Sequence, residues 1–213
     1  MGEKKQQDRI RFNKTNILET AKKLFLEKGV EQTTVADIAK IADYSKSTIY
    51  VYFKSKEDIY HHILLEYMIQ MKQALEECVN NSNDMIQSYY AICSTLMKLH
   101  EENPLFLGSI LGKIEVRPED IEREPVLGEI LRVGEEVNHV VEAFIMKGIK
   151  EKVIREDIQV IPTVFMMWAS ICENIIMADK KRDYIKMRMN MSKEEYLEYA
   201  FRTLLQSIMM EKD

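Results

Sequence analysis

TTVADIAKIADYSKSTIYVYFKSKED, residues 33–58, holds two short helix-forming runs separated by a tight polar turn. Thr34 precedes an apolar-periodic run, and Asp37 stands where a short acid can answer the free amides of a first turn, so a helix is predicted to begin at Val35. Val35, Ile38, Ala39 and Ala42 recur at i, i+3, i+4 and i+7. That spacing makes one buried stripe, and the small Ala39 lets a second helix cross closely. Asp tolerates a left-handed backbone, so Asp43-Tyr44 makes the turn and Ser45 caps the second run. The second helix is predicted over Lys46 to Phe53. Ile49 and Phe53, at i and i+4, anchor it to the core, which leaves Lys46, Ser47, Thr48, Tyr50 and Tyr52 to share the outer surface. Those groups are donors and acceptors sized for phosphates and base edges. Ser55 caps a third run, with Asp58 in the answering position and Lys54 and Lys56 on either side of the cap.

Two short helices at a steep angle also occur in cores that never meet nucleic acid, so the geometry alone leaves both readings open. The residues themselves resemble the DNA-binding domain of the tetracycline-repressor (TetR) family. Thr33, Thr34, Val35, Asp37, Ile38, Ala39, Ala42, Ser45, Thr48, Tyr50, Tyr52, Phe53, Ser55, Lys56 and Glu57 stand at matching positions. Upstream, Ile17 to Thr34 resembles the family's first helix, with Ile17, Ala21, Leu24 and Phe25 as its buried face and Gly29 as its stop. The resemblance implies contacts to double-stranded DNA from Thr34, Tyr44, Ser45, Lys46, Ser47, Thr48, Tyr50, Tyr52, Lys54 and Lys56.

This chain departs from the family pattern at four positions within the segment. Ala36 stands where the family commonly carries an Arg that reaches a base in some members, which shifts base readout onto the second helix. Asp43 and Ser47 replace the usual glycines, so Ser47 either reads a base or phosphate directly or is a solvated serine in a first helical turn. Tyr44 replaces a smaller aliphatic residue; it either lies on the DNA backbone or packs under the turn.

Charge divides the chain in the same way. Residues 1–56 carry 12 Lys+Arg against 7 Asp+Glu, a balance of +5, and residues 57–213 carry 18 against 28, a balance of −10. A basic head on an acidic body suits DNA binding confined to one site. Lys4, Lys5, Arg9, Arg11 and Lys14 are expected in a polar, flexible arm, which either reaches phosphate or a minor groove or serves as a solubilising tail.

The expected fold is all-α: an N-terminal three-helix helix-turn-helix domain over residues 1–56 and a helical effector-binding and dimerisation domain over residues 57–213, nine to ten helices in all. Only 7 Gly and 4 Pro leave little room for the many turns of a β protein, and almost every segment reads with a helical period. Helices are expected at 56–79, at 84–102, from Pro104, from Pro125 to Lys152, at 160–182 and at 192–211, with an irregular connection over 115–124. No stretch of 18 apolar residues, signal peptide or myristoylation pattern is found, so the expectation is a cytoplasmic protein without a membrane partner. Cys78, Cys93 and Cys172 lack metal-like spacing and read as ordinary buried thiols.

The last two helices point to a homodimer. Val164, Trp168, Ile171 and Ile175 align on one, Leu197, Phe201, Leu204, Leu205 and Ile208 on the other, and the first is apolar around more than one face. The resemblance implies that two such pairs form a four-helix interface, placing two recognition helices one DNA turn of about 34–36 Å, or a multiple, apart on a pseudo-palindrome. It also implies a small-molecule effector, apolar or amphipathic, in the body. Candidate lining residues are Tyr89, Tyr90, Cys93, Met97, Phe106, Ile110, Val137, Val141, Phe144 and Trp168, each of which also suits plain core. His139, with Glu135 and Glu142 on the same helix side, reads as a solvated charged face, so no metal, cofactor or catalytic residue is expected. No phosphate loop, zinc spacing or nucleophile elbow supports an enzyme. The alternative to a ligand-responsive repressor is a helical ligand- or protein-binding module with a non-functional head.

Overall fold

The computed structural model describes residues 2–82, 84–112 and 118–210. Among the described residues there are eleven α-helices and no named strand: α1 (Gly2–Lys28), α2 (Val35–Ile41), α3 (Lys46–Tyr52), α4 (Lys56–Asn80), α5 (Met85–Glu102), α6 (Phe106–Leu111), α7 (Pro118–Arg123), α8 (Pro125–Lys150), α9 (Val160–Lys180), α10 (Arg182–Met189) and α11 (Lys193–Gln206). The all-α expectation holds, with one or two helices more than expected. The added helices are α7, inside the stretch read as irregular, and α10, which comes after a break at Lys181. Residues 113–117, which include the start of that irregular stretch, lie outside the described residues.

The expected N-terminal arm is corrected. Lys4, Lys5, Arg9, Arg11 and Lys14 lie on the first turns of α1. Between Glu3 and Lys14 there is no Gly or Pro, and straight-chain Glu, Lys, Gln and Arg lose little rotamer freedom in a helix, so α1 extends outward from its buried end. That helix stops where the sequence places its stop. Gly29 adopts φ +83°, a conformation that costs a residue with a Cβ, and its N–H reaches Phe25 O at 2.9 Å.

Two compact units emerge. Unit 1 comprises Met1–Tyr67 with Ile114–Leu131, and unit 2 comprises Met68–Lys113 with Arg132–Asp213. The sequence boundary at Lys56 coincides with the start of α4, whereas the units divide inside α4 and α8. Unit 1 has its core in Ile17, Ala21 and Phe25 of α1, Ile38 and Ala39 of α2, Ile49 of α3 and Ile59, Ile63 and Leu64 of α4, all nearly inaccessible. His61 Nδ1 lies at hydrogen-bond distance, 2.9 Å, from Glu124 Oε2 within the same unit.

Unit 2 is built on α9, which packs against α5, α6, α10 and α11. α9 is long and apolar enough in composition to cross a membrane, but here one side of it makes the unit's core: Val164, Met167, Ile171, Cys172 and Ile175 are buried. Its neighbours contribute Ile92, Cys93 and Leu96 from α5, Phe144 and Ile145 from α8, and Leu197, Phe201 and Leu205 from α11. Gly148 marks the tightest approach of α8: a Cβ there would meet the Met85 sulfur and come within 2.9 Å of Ile154 Cγ1. Two loop segments of this unit are tied together by Arg155 N–H to Ile208 O and Met210 N–H to Val153 O, both 3.0 Å.

Candidate nucleic-acid interface and effector cleft

The caps read from the sequence are in place. Thr34 Oγ1 accepts from Asp37 N–H at 3.2 Å, and Thr34 N–H donates to Asp37 Oδ2 at 3.0 Å. Thr34 Oγ1 also donates to Asp37 Oδ2 at 2.8 Å, and this hydroxyl bond, followed by the Thr34 N–H bond, holds the Asp37 carboxyl below its ordinary range, so it stays ionised at the N-terminus of α2, where negative charge is favoured. Asp43 takes the left-handed conformation at φ 59°, and Tyr44 N–H reaches back to Ala39 O at 2.9 Å, so the turn between α2 and α3 is closed by backbone. Ser45 then caps α3 through Thr48 N–H at 3.1 Å. Its hydroxyl also lies 2.7 Å from Ser47 Oγ and 2.8 Å from Thr48 Oγ1, which makes a small exposed hydroxyl cluster at the start of α3.

α3 is held by Ile49, 1% exposed, and by Phe53 just beyond its end, also 1%. Lys46, Ser47 and Tyr50 face outward, and Thr48 is half-buried. The structure adds Val51, which is absent from the sequence-derived contact set: at 77% it is the most exposed large apolar side chain among the described residues. Helical spacing places it there, because it lies two residues from the Ile49 anchor and so on the opposite helix side.

The two tyrosines are oriented by a residue outside the motif. Asn13 of α1, 9% exposed, donates through Nδ2 to Tyr52 OH at 2.8 Å and accepts from Tyr44 OH at 2.9 Å. One buried amide thus ties α1 to the turn and to α3. Tyr44 and Tyr52 are both half-buried. Lys54 and Lys56 have partners within the chain. Lys56 Nζ donates to Val30 O at 2.8 Å and Glu31 O at 3.3 Å, and Lys54 Nζ to Arg123 O. Both ammonium groups satisfy backbone carbonyls, and Lys56 in particular braces the loop after α1. Ser55 caps as expected through Asp58 N–H at 3.1 Å, but Asp58 does not close the box on Ser55: its carboxylate takes Lys54 N–H at 2.7 Å.

Within unit 2, Leu75, Met85, Tyr89, Ile92, Val141, Phe144, Ile145, Met167, Trp168, Ile171 and Ile208 surround an apolar cavity of about 40 Å³. Of the candidate residues, Tyr89, Val141, Phe144 and Trp168 border this cavity. Tyr90, Cys93, Met97, Phe106, Ile110 and Val137 do not; Cys93, Phe106 and Val137 are packed into the core, and the other three are half-buried elsewhere. The one hydroxyl at the cavity, Tyr89 OH, is spent on Phe201 O at 3.0 Å. Burial pushes the Cys93 thiol up to about 12 and the Cys172 thiol upward as well, which fits inert structural thiols.

The expected dimer residues need correction. Val164, Ile171, Ile175, Leu197, Phe201, Leu205 and Ile208 are all at most 5% exposed within the single subunit, so they form its own core and are not open to a second copy; only Trp168 and Leu204 are half-buried. α9 is apolar on two sides, and periodicity does not say which side turns inward. The outward side carries Ile161, Phe165 and Met166, 57%, 59% and 45% exposed.

Residues 17–63 match the family model of the bacterial regulatory proteins, tetR family. The chain is 26% identical over 174 residues to the fatty acid metabolism regulator protein of Bacillus subtilis (strain 168), covering 80% of this chain and 87% of that one. It is 30% identical over 129 residues to the biofilm operon icaADBC negative transcriptional regulator IcaR of Staphylococcus aureus (strain Newman), covering 52% and 66%. Its fold is similar to that of FadR from Bacillus subtilis, solved in complex with stearoyl-CoA, at a TM-score of 0.69 and 19% identity over 91% of this chain and 98% of that one.

Proposed function

We propose that this chain, which belongs to the tetR family of bacterial regulatory proteins, is a ligand-responsive repressor that binds a pseudo-palindromic operator as a homodimer and leaves it when a small molecule binds. The observation that carries the reading is the exposed surface of α3: Lys46, Ser47 and Tyr50 are exposed on a helix anchored by Ile49 and Phe53. A helix held rigidly by its inner side and bearing hydroxyls, an ammonium and a phenol on its outer side is suited to enter a major groove. Thr34, Tyr44, Ser45, Thr48, Tyr52, Lys54 and Lys56 support that helix or border it. In this reading they position the phosphate backbone more than they read bases.

The effector class is inferred from the cavity. Its lining is apolar, its single hydroxyl is internally bonded, and Met85 and Met167 are side chains that repack readily. At about 40 Å³ it is far smaller than the ~300–1,000 Å³ of typical ligand sites, so a ligand must open it. A long acyl chain on a polar carrier, the kind of molecule bound by the Bacillus subtilis neighbour, has the flexibility and apolarity required. Ligand then shifts a population: the ligand-free dimer holds two copies of α3 at groove spacing, and the liganded dimer does not. For this the ligand must bind the two states unequally. The second copy docks on the outward side of α9, where Ile161, Phe165 and Met166 are exposed, with Trp168 and Leu204 at its margin.

The test is retention of genomic fragments by the purified protein at low salt, followed by gel shift of an enriched fragment with added stearoyl-CoA or free coenzyme A. Shifted DNA released by the acyl form alone is the expected result. No retained fragment would overturn the DNA-binding reading, and release by neither compound would overturn the effector class.

A further inference from the structure

Val51 has no packing role in the chain, and its place on α3 is the reason to assign it one. With about 100° between successive residues, Ser47 and Val51 lie about 160° and 200° around the helix from buried Ile49, so together they form the edge farthest from the core. Lys46 and Tyr50 lie nearer its flank, at about 60° and 100° on the same count. Whichever helix edge is farthest from its anchors penetrates a groove most deeply. On α3 that edge is a hydroxyl followed one turn later by an isopropyl group. An isopropyl group offers no hydrogen bond, and the one apolar group on the floor of the major groove is the thymine C5-methyl.

Resting on the regulator reading above, we infer that Val51 is a specificity-determining residue that contacts a thymine methyl in each operator half-site, next to the base or phosphate met by Ser47. The contact selects thymine over cytosine at one position by methyl burial alone. Ser47 supplies the polar neighbour, and its hydroxyl, 2.7 Å from Ser45 Oγ, is held in a fixed place by the cap of the same helix. Lys46 and Tyr50 reach phosphates on the flank.

The experiment selects the preferred duplex from a random library with the full-length protein, then replaces each thymine singly with deoxyuracil, which removes only the methyl. Affinity is measured for the wild type and for Val51→Ala. Since Val51 is exposed, the substitution leaves thermal unfolding unchanged, which is checked alongside. One thymine per half-site is expected at which uracil weakens wild-type binding about fourfold, the fold-change that corresponds to burying one methyl group. At that position uracil costs Val51→Ala nothing further. Losses from uracil and from Val51→Ala that multiply at every thymine, or a Val51→Ala protein that binds like the wild type, would overturn the inference while leaving the regulator reading intact. Failure to enrich any duplex would overturn both.

Discussion

Replacing Asn13 by Ala tests whether Tyr44 and Tyr52 are oriented from within the protein. The side chain makes two hydrogen bonds, to Tyr52 OH at 2.8 Å and from Tyr44 OH at 2.9 Å. A typical intramolecular hydrogen bond contributes about 1 kcal/mol net. Both hydroxyls sit on half-buried rings and regain solvent when Asn13 is shortened, so neither is left stranded. The expected loss is therefore about 1–2 kcal/mol, not the larger penalty of an orphaned buried group. Urea unfolding of the full chain measures it. DNA affinity should fall several-fold on every sequence alike, because Asn13 touches no base and acts only through the two rings. A cycle with Tyr44→Phe and Tyr52→Phe separates the bonds from general damage: the combined loss should be smaller than the sum of the single losses. Unchanged stability and affinity in Asn13→Ala, additive losses in the cycle, or an altered base preference would each refute the reasoning.

Salt dependence should distinguish the lysines. Lys46→Ala, at an exposed position of α3, should flatten the slope of log affinity against log salt by about two units for the dimer, about 0.9 for each copy, whereas Lys56→Ala should chiefly lower stability, since its ammonium serves Val30 O and Glu31 O. Trp168 is the only tryptophan and borders the apolar cavity, so its fluorescence should change saturably on titration with stearoyl-CoA and not with coenzyme A. Phe165→Glu on the outward side of α9 should yield monomers by sedimentation. Leu197→Ala, in the subunit core at 1% exposure, should instead cost about 2–5 kcal/mol of stability without changing the oligomer. His100 is buried with no partner for Nδ1, and burial lowers its pKa against the opposing pull of Asp179. Since the unfolded chain takes up that proton near its ordinary 6.5 and the folded chain resists it, stability should decline as pH falls below 6.5 and stay level above it. His100→Leu should remove that part of the decline.

The local features of the head were legible because their causes span only a few residues. Thr34 with Asp37, Ser45 with Thr48, the positive φ of Asp43 and the stop at Gly29 are side-chain or backbone preferences acting within one turn. α2 and α3 accordingly begin at the predicted residues, and α3 ends one residue early, at Tyr52, with Phe53 as its cap. The added helices α7 and α10 were harder to see. Pro118 opens the first where it reads as a breaker, and the second falls between the helices read at 160–182 and 192–211, in a charged stretch where Ile185 alone is buried and no apolar stripe marks a helix.

By itself the sequence determined the all-α class, the helix-turn-helix segment and the exposure of Lys46, Ser47 and Tyr50 on α3, since capping chemistry and helical spacing are written in consecutive positions. Tertiary structure alone decided that Asn13 joins Tyr44 and Tyr52, that Lys54 and Lys56 are spent on carbonyls 69 and 26 residues away, and which side of α9 faces its own core. A helix apolar around two faces satisfies either orientation until α5, α6 and α11 cover one of them, and an amide or ammonium has no preferred partner in the chain until folding brings one within hydrogen-bond reach.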